Sequence, residues 1–357
     1  MSATANRYEL EAIERLEDHA EDWARLGSEA GHPFATPEWS LCWWRRMSAG
    51  RELYSFALRD SSGAVIAILP LYVAATRPFR VARFLGYGDL MSPVCAPSDR
   101  AATARAMLEV TRRPHRCRAV LAERMPAEQG WGELLGGRLL RTDSVPLLRT
   151  NGMTWEEFMA TKKRKFRGNL RRAEARLVEE HGLEFRLASD PDRLEADMGE
   201  LFRLHGLRWG GETTGVFEGE LAGFHADFAA AALRRGWLRL WLAEIEGRAV
   251  AAWYGWRFAG VDWHFQSGRD PAHDRLSVGT TLFVHTLRAA FNDGMEAYNF
   301  LAGDEGYKLH FAGEDPGAES RIVGSGPIAS AAGLLIAAAA RIPAGARRGA
   351  LRAARPS

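Results

Sequence analysis

"RDPAHDRLSVGTTLFVHTLRAAF", residues 269–291, has the pattern of an amphipathic helix with an unusual beginning. Ser277 is a favourable N-cap residue, but Gly279 and Thr280 are poor helix formers for a first turn. This pattern is compatible either with an ordinary capped loop or with a helix whose bare backbone N–H groups bind an anion. The surrounding sequence helps to distinguish the two.

The helix belongs to a pattern that occurs twice in the chain. Residues 53–73 and 238–258 are each predicted to form a β-hairpin, and each is followed by a strand, a helix and another strand. The two copies are offset by about 180 residues, which indicates an internal duplication. We therefore predict an α/β protein with mixed sheets, built from two tandem, tightly associated units of one fold.

The boundaries of the units follow from this pattern. Residues 1–150 are predicted to form the first unit and residues 151–325 the second. Residues 326–357, rich in alanine and arginine, are predicted to form a terminal helix or a frayed tail.

The two helix starts differ in charge. The first copy begins Ser98-Asp99-Arg100, and an aspartate at this position competes for the N–H groups and repels anions. The second copy is uncharged and lined with hydroxyl groups. Only the second copy is therefore predicted to hold a phosphate, although Gly279 is also compatible with a purely structural role in close packing.

Composition excludes several classes of protein. A hydrophobic share of 46% with 12 Trp is too high for a disordered chain. Cys42, Cys95 and Cys117 are widely spaced, which predicts neither a disulfide framework nor a zinc site and favours a reducing cytoplasm. The acidic N-terminal segment does not have the pattern of a signal peptide.

Positive charge is concentrated in two segments. Residues 161–176 carry eight basic side chains and one acidic one, and residues 341–357 carry five arginines. These segments fit an anionic partner or the inner surface of a membrane, or else a solvated helix face. Nucleic acid is a weak alternative, because few aromatic side chains interleave the basic ones.

Four stretches carry a family resemblance: HPFATPEWSLCWW (residues 32–44), LFRLHGLRW (201–209), FQSGRDPAHDRLSVG (265–279) and NFLAGDEGYKLHFA (299–312). Their order and spacing resemble the CelD-type (cellulose-biosynthesis) acetyltransferases of the GNAT superfamily, relatives of the Fem-type peptidyltransferases. The resemblance implies two GNAT-like units, of which the second is the acyltransferase and the first is non-catalytic.

The resemblance also implies an acyl-CoA co-substrate. Its pyrophosphate would bind at the helix start, and its pantetheine arm would lie between two diverging strands near residues 264–267 and 298–301. Val278 and Asn299 depart from the family, which usually has proline and aspartate at these positions. The residues assigned to the cofactor are Gln266, Ser277, Gly279, Thr280 and Thr281.

Catalytic residues are predicted in the segment NFLAGDEGYK, where a strand ends in a loop. Asp304 or Glu305 would accept the proton of the acceptor, and Tyr307 would donate one to the leaving thiolate. Lys308 would bind an anionic acceptor. The alternative is a solvated acidic turn that forms a salt bridge with Lys308.

An acceptor site is predicted from a second segment. His205, Arg208 and Trp209 share a helix face by their spacing and suit a polar or sugar-like acceptor. Asp89 follows a strand of the first unit and is a further candidate for substrate binding. His225 fits a core histidine better than a site residue.

These observations lead to three hypotheses. The first is an acyl-CoA-dependent transfer of an acetyl or other acyl group to an amine or hydroxyl, in exopolysaccharide or cell-envelope biosynthesis. The second is Fem-like aminoacyl or peptidyl transfer, and the third is a non-catalytic GNAT shell that assists assembly. No metal site is predicted, and the sequence contains no P-loop and no nucleophile elbow.

Overall fold

The computed structural model of the protein describes residues 8–74, 80–113, 117–208, 215–303 and 305–324. The predicted tail at 326–357 lies outside these residues. The chain divides into two compact units, of which unit 1 comprises Met1–Ala30, Ala49–Asp143 and Ala318–Ser357. Unit 2 comprises Gly31–Ser48 and Ser144–Gly317.

The helices and strands are numbered along the chain. The helices are α1 Ala20–Ala30, α2 Pro37–Met47, α3 Arg100–Val110, α4 Trp131–Leu135, α5 Trp155–Ala160, α6 Arg164–His181, α7 Leu194–Arg208, α8 Glu220–Arg234, α9 Val278–Asn292 and α10 Gly306–Leu309. The strands are β1 Glu9–Ala12, β2 Arg51–Leu53, β3 Phe56–Arg59, β4 Val65–Leu69, β5 Leu71–Ala74, β6 Ala82–Phe84, β7 Val94–Cys95, β8 Ala119–Pro126, β9 Arg138–Asp143, β10 Leu147–Arg149, β11 Glu184–Leu187, β12 Leu238–Ile245, β13 Arg248–Phe258, β14 Val261–Arg269, β15 Ala297–Asn299 and β16 Ala318–Gly324.

The predicted duplication is present in the structure. The hairpins are β3–β4 in unit 1 and β12–β13 in unit 2. In each unit a helix, α3 or α9, then connects two parallel strands, β6 with β8 or β14 with β15. A crossover helix is what a parallel pair requires. The α/β class with mixed sheets and two related units is therefore confirmed.

The unit boundaries differ from the predicted division at residue 150. Residues 31–48 belong to unit 2, where α2 packs against α8. Residues 318–324 belong to unit 1, where β16 pairs with both β8 and β9. Each unit is thus assembled from separated stretches, because sheet pairing and helix packing join segments that are distant in sequence.

The first hairpin also differs in detail. Its second arm, predicted as one strand, is divided by Pro70 into β4 and β5. Proline has no N–H to donate to a ladder and interrupts the pairing. As a result, β4 joins the sheet β1-β3-β4-β7, and β5 joins the sheet β2-β5-β6-β8-β16-β9.

Unit 2 contains one six-stranded sheet with helices packed on it. The strand order is β10-β15-β14-β13-β12-β11. Trp253 of β13 belongs to a core cluster with Leu282 and Phe283 of α9. The next residue, Tyr254, points to the opposite face of the sheet, because successive side chains of a strand alternate between faces. Its ring centroid lies 5.8 Å from that of His225 in α8. Within the described parts of the chain, the structure contains no helix of a length and hydrophobicity that would span a membrane.

Candidate active site

The strands β14 and β15 diverge in the middle of the unit 2 sheet. Their parallel pairing covers only Val261–Trp263 and Ala297–Asn299, whereas β14 continues to Arg269. After β15 the chain turns at Leu301, which has φ of 53°. The buried Asn299 side chain accepts a 2.8 Å hydrogen bond from the Leu301 N–H. The amide therefore holds the turn that separates the two strands.

A cavity of about 420 Å³ adjoins this divergence. It is bounded by the last residues of β14, the first turns of α9 and the region of α10. Its lining residues are Arg208, Ala252, Trp253, His264, Ser267, Gly268, Arg269, Asp274, Ser277, Val278, Gly279, Thr280, Leu282, Phe283, Tyr307 and Phe311. The predicted residues Ser277, Gly279, Thr280, Tyr307 and Arg208 are thus brought together.

The start of α9 presents open backbone N–H groups to the cavity. Ser277 is the N-cap but has left-handed backbone angles, φ 60° and ψ 31°, and its side chain makes no capping hydrogen bond. The first intrahelical bond joins the Thr281 N–H to the Ser277 carbonyl. The preceding N–H groups of Val278, Gly279 and Thr280 have no partner within the helix. Uncapped N–H groups and the positive end of the helix dipole together favour an anion.

Thr281 and Gln266 do not line the cavity, although the sequence assigned both to the cofactor. The Thr281 hydroxyl donates to the Ser277 carbonyl at 3.1 Å, and the side chain is buried. Gln266 pairs across the sheet with Tyr254 and shares a hydrogen bond with His205. A bulge near Tyr254 and Gly255 shifts the register of β14 and places Gln266 on the face of Tyr254.

Arg269 is a cation that the sequence analysis missed. Its Nε lies 2.5 Å from Asp274 Oδ1, and its side chain passes over the start of α9. A Cβ atom added at Gly279 would lie 3.1 Å from Arg269 Cδ, so glycine permits this close approach. The position of Arg269 at the end of β14, shortly before α9, is the sequence signal that would have indicated it.

Arg208 and Tyr307 meet at the cavity. Arg208 Nη1 donates to Ser267 Oγ at 2.7 Å and to the Ser267 carbonyl at 3.2 Å. Burial, aided by the charge of Glu305, raises the pKa of Tyr307 to about 12, against a smaller opposite effect of a hydrogen bond from Arg208. Tyr307 is therefore a neutral phenol at physiological pH, able to donate a proton.

Gly268 explains how Arg208 reaches this position. An added Cβ at Gly268 would overlap the backbone of Leu204 and His205 in α7. Helix α7 can therefore lie directly on β14 only because this residue is glycine. Of the predicted acceptor residues on α7, His205 is buried and packs edge-on against Phe217 at 4.9 Å, whereas Trp209 lies outside the described residues.

Glu305, the N-cap of α10, and Lys308 within this one-turn helix form an ion pair, where the sequence analysis predicted a loop. Lys308 is buried, and its Nζ lies 2.9 Å from Glu305 Oε2 and 3.0 Å from the Ala302 carbonyl. This geometry does not favour the predicted binding of an anionic acceptor by Lys308, because the amine is enclosed and already paired. Burial acts to raise the pKa of Glu305, but the hydrogen bond and charge of Lys308 outweigh it and lower that pKa.

The two remaining predicted residues lie elsewhere. Asp304 is outside the described residues. Asp89 belongs to unit 1, where its Oδ1 lies 2.5 Å from Arg124 Nη1. That ion pair gives Asp89 a structural partner within its own unit.

Comparison with known proteins agrees with this geometry. Residues 164–309 match the family model described as acetyltransferase (GNAT) domain, so this stretch is similar to GNAT-type domains. No curated protein sequence matches the chain.

Solved structures share the fold at low sequence identity. The C-terminal domain (DUF2156) of a putative lysylphosphatidylglycerol synthetase from Agrobacterium fabrum is 14% identical, with a TM-score of 0.61 over 93% of this chain and 99% of that one. FemX is 12% identical, with a TM-score of 0.60 over 88% and 96%. A tandem GNAT protein from the clavulanic acid biosynthesis pathway is 13% identical, with a TM-score of 0.50 over 90% and 99%. These likenesses support the tandem GNAT-like architecture.

Proposed function

We propose that unit 2 transfers an acyl group from an acyl-CoA thioester to an amine or hydroxyl acceptor. The observation that carries this proposal is the cavity that joins the uncapped start of α9 to Tyr307 along the diverging end of β14. The GNAT-type domain over residues 164–309 implies an acyl-CoA co-substrate. Its pyrophosphate would bind the N–H groups of Val278–Thr280 with Arg269, which supplies the nearby positive charge.

The chemistry follows from the residues at the other end of the cavity. The acceptor nitrogen or oxygen forms a bond to the thioester carbon, and the carbon–sulfur bond breaks. Tyr307 donates its phenolic proton to the departing thiolate, and the proton released by the acceptor restores the phenol through solvent. Arg208, which contacts Ser267, positions the phenol and favours its transient negative charge.

The acceptor and the cellular setting rest on more general support. The resemblance to CelD-type acetyltransferases supports a saccharide or related small molecule, in exopolysaccharide or cell-envelope biosynthesis. Fem-like aminoacyl transfer is the alternative, since the chain shares its fold with FemX. A cytoplasmic protein at the inner face of the membrane would use the basic helix α6 to meet an anionic surface.

The variant Gly279→Asp tests the proposal, with its affinity for acetyl-CoA measured by calorimetric titration and compared with that of the wild-type protein. The new carboxylate places a negative charge beside the pyrophosphate and competes for Arg269. We expect affinity to fall by about 5- to 150-fold, equivalent to about 1–3 kcal/mol.

Ser98→Asp, at the corresponding helix start of unit 1, is the matched control and should bind acetyl-CoA like wild type. Equal losses of acetyl-CoA affinity in both variants would contradict the assignment of the acyl-CoA site to unit 2. Failure of the wild-type protein to bind acetyl-CoA or CoA would refute acyl-CoA-dependent transfer and favour the aminoacyl alternative.

A further inference from the structure

His264 is a buried polar side chain in the wall of the cavity. It lies on β14, is only 4% exposed and lines the cavity. Its ring stacks on Trp253 at 5.2 Å with an interplanar angle of 17° and lies 5.7 Å from the ring of Phe283. Neither Nδ1 nor Nε2 has a hydrogen-bond partner among the residues that the structure describes.

The imidazole is held in its neutral form. Burial, with smaller contributions from the charges of Lys308 and Arg208, lowers the pKa of His264 well below its usual value. A neutral imidazole offers one N–H donor and one nitrogen acceptor. Because both are withdrawn from bulk water and have no partner within the described part of the chain, an occupant of the cavity that hydrogen-bonds one of them gains affinity.

The position of His264 identifies which part of a bound thioester it would meet. Along β14, His264 precedes Arg269 by five residues, which in an extended strand is on the order of 16 Å from the start of α9. Phe283 contacts both His264 and Tyr307, at 5.7 Å and 5.1 Å between rings. His264 therefore lies toward the proposed reacting end, away from the anion-binding end.

The surrounding wall is apolar. Trp253, Leu282, Phe283 and Phe311 line the cavity beside His264. Such a wall accommodates the hydrocarbon part of an acyl chain, while an entirely hydrocarbon chain would leave the imidazole unpaired. A hydroxyl group, in contrast, is both a donor and an acceptor and can satisfy either ring nitrogen.

We propose that the acyl group selected by this cavity is a short chain bearing a hydroxyl group, which hydrogen-bonds His264. This inference rests on the proposed acyl-CoA-dependent function and specifies its acyl donor. The hydrocarbon portion packs against the aromatic wall, and the hydroxyl group replaces one of the hydrogen bonds that burial of His264 removes.

The test compares butyryl-CoA with the two enantiomers of 3-hydroxybutyryl-CoA, which differ from it by one oxygen atom. Calorimetric titration of the wild-type protein should show about tenfold tighter binding of one hydroxylated enantiomer than of butyryl-CoA. His264→Phe should abolish this preference, because it keeps an aromatic ring against Trp253 but has no polar atom. His264→Asn, which retains a donor and an acceptor, should keep part of it.

His285→Phe is the matched control. His285 is also stacked on an aromatic ring, Phe185 at 4.0 Å, and its Nε2 also has no partner among the described residues, but it does not line the cavity. This variant should retain the full preference.

The outcomes separate the two proposals. Equal or weaker binding of both hydroxylated thioesters by the wild-type protein would overturn the inference while leaving acyl-CoA binding intact. An unchanged preference in His264→Phe would overturn the assignment to His264. Absence of binding by CoA and all its thioesters would instead refute the proposed function on which the inference rests.

Discussion

At the scale of single residues, the environment of Tyr307 defines its chemical role. The raised pKa of about 12 keeps the phenol protonated, while Glu305, whose pKa is lowered by Lys308, is an ionised partner in a structural ion pair. The segment of Glu305 and α10 therefore contains a protonated phenol close to the cavity and a carboxylate engaged in an ion pair with Lys308. The raised pKa makes the phenol a weaker acid than an ordinary tyrosine, so the proposed proton donation by Tyr307 depends on its position in the cavity wall.

Tyr307→Phe tests this role. The phenylalanine keeps the edge-to-face packing against Phe283, which lies 5.1 Å away, but has no proton to donate. We expect CoA release from acetyl-CoA, measured with a panel of amine and sugar acceptors, to slow by about 10²–10⁴-fold. Affinity for acetyl-CoA should stay within a few fold of wild type, because the start of α9, where we propose that the pyrophosphate binds, is unchanged.

The exposed Tyr87 of unit 1 supplies the control, and Tyr87→Phe should leave CoA release unaltered. Unimpaired CoA release by Tyr307→Phe would show that the thiolate takes its proton from water. The pKa of about 12 also means that ionisation of Tyr307 should cause no loss of turnover below about pH 11.

At the scale of elements, helix α6 has an apolar face packed on the core and an exposed basic face. Phe166, Leu170 and Leu177 pack against the core of unit 2. Lys163, at the N-cap, and the basic residues Arg164, Lys165, Arg171 and Arg172 are exposed. The ion pairs seen for α6 within the described chain are Arg176 with Glu180 and Glu174 with Arg288, so they leave this basic surface uncompensated.

Charge reversal of Lys163, Arg164 and Lys165 to Glu tests whether this surface meets an anionic membrane. These three are preferable to Lys162, whose Nζ lies 4.5 Å from the Phe158 ring centroid, and to Arg167, whose Nε is buried. At about 1 kcal/mol for each basic residue near the surface, binding to phosphatidylglycerol vesicles should weaken by at least about 100-fold. Acetyl-CoA affinity should remain within a few fold.

Vesicle sedimentation at low and physiological salt measures the effect. Reversal of three exposed arginines outside α6, Arg112, Arg193 and Arg248, is the matched control for net charge. Equal losses in both variants would show that only the total charge matters. If the wild-type protein does not bind anionic vesicles, the proposal that α6 binds a membrane surface is wrong.

At the scale of the whole molecule, buried and half-buried histidines should make unit 2 sensitive to acid. Burial lowers the pKa of His225 to about 3 and that of His285 to about 4, and the pKa of His264 is also lowered. In the unfolded chain a histidine has a pKa of about 6.5 and binds a proton more readily. The contribution of these neutral histidines to the free energy of unfolding is therefore fully present above pH 6.5. It is lost as the pH falls from 6.5 toward the pKa values of the folded protein.

His225→Phe tests this linkage in a fully buried site. Between about pH 6 and pH 4, each such histidine should reduce the free energy of unfolding by about 1.4 kcal/mol per pH unit. Urea unfolding followed by tryptophan fluorescence should show a smaller acid-induced loss in the variant than in wild type, by the contribution of one proton. Identical pH dependence in both proteins would show that His225 does not titrate on unfolding.

Local sequence patterns were sufficient for much of the fold and part of the site. The hairpins, α9 and the strands around it follow from alternation and helical periodicity, which depend on near neighbours. The uncharged start of α9, with Gly279 and Thr280, was identifiable for the same reason, and so was Tyr307 in a loop after a strand. Arg208 was recognised as a polar residue on α7, although its contact with Ser267 was not.

Only the tertiary structure decided which separated residues meet. The insertion of β16 between β8 and β9 depends on strand edges that lie far apart in sequence. Arg269 over Gly279, the enclosed Lys308 and the buried His264 depend on burial and on the shifted register of β14. Hydrophobic periodicity reports which face of an element is buried, but the partner across that face, and hence the polar contacts of the site, is set by packing between distant segments.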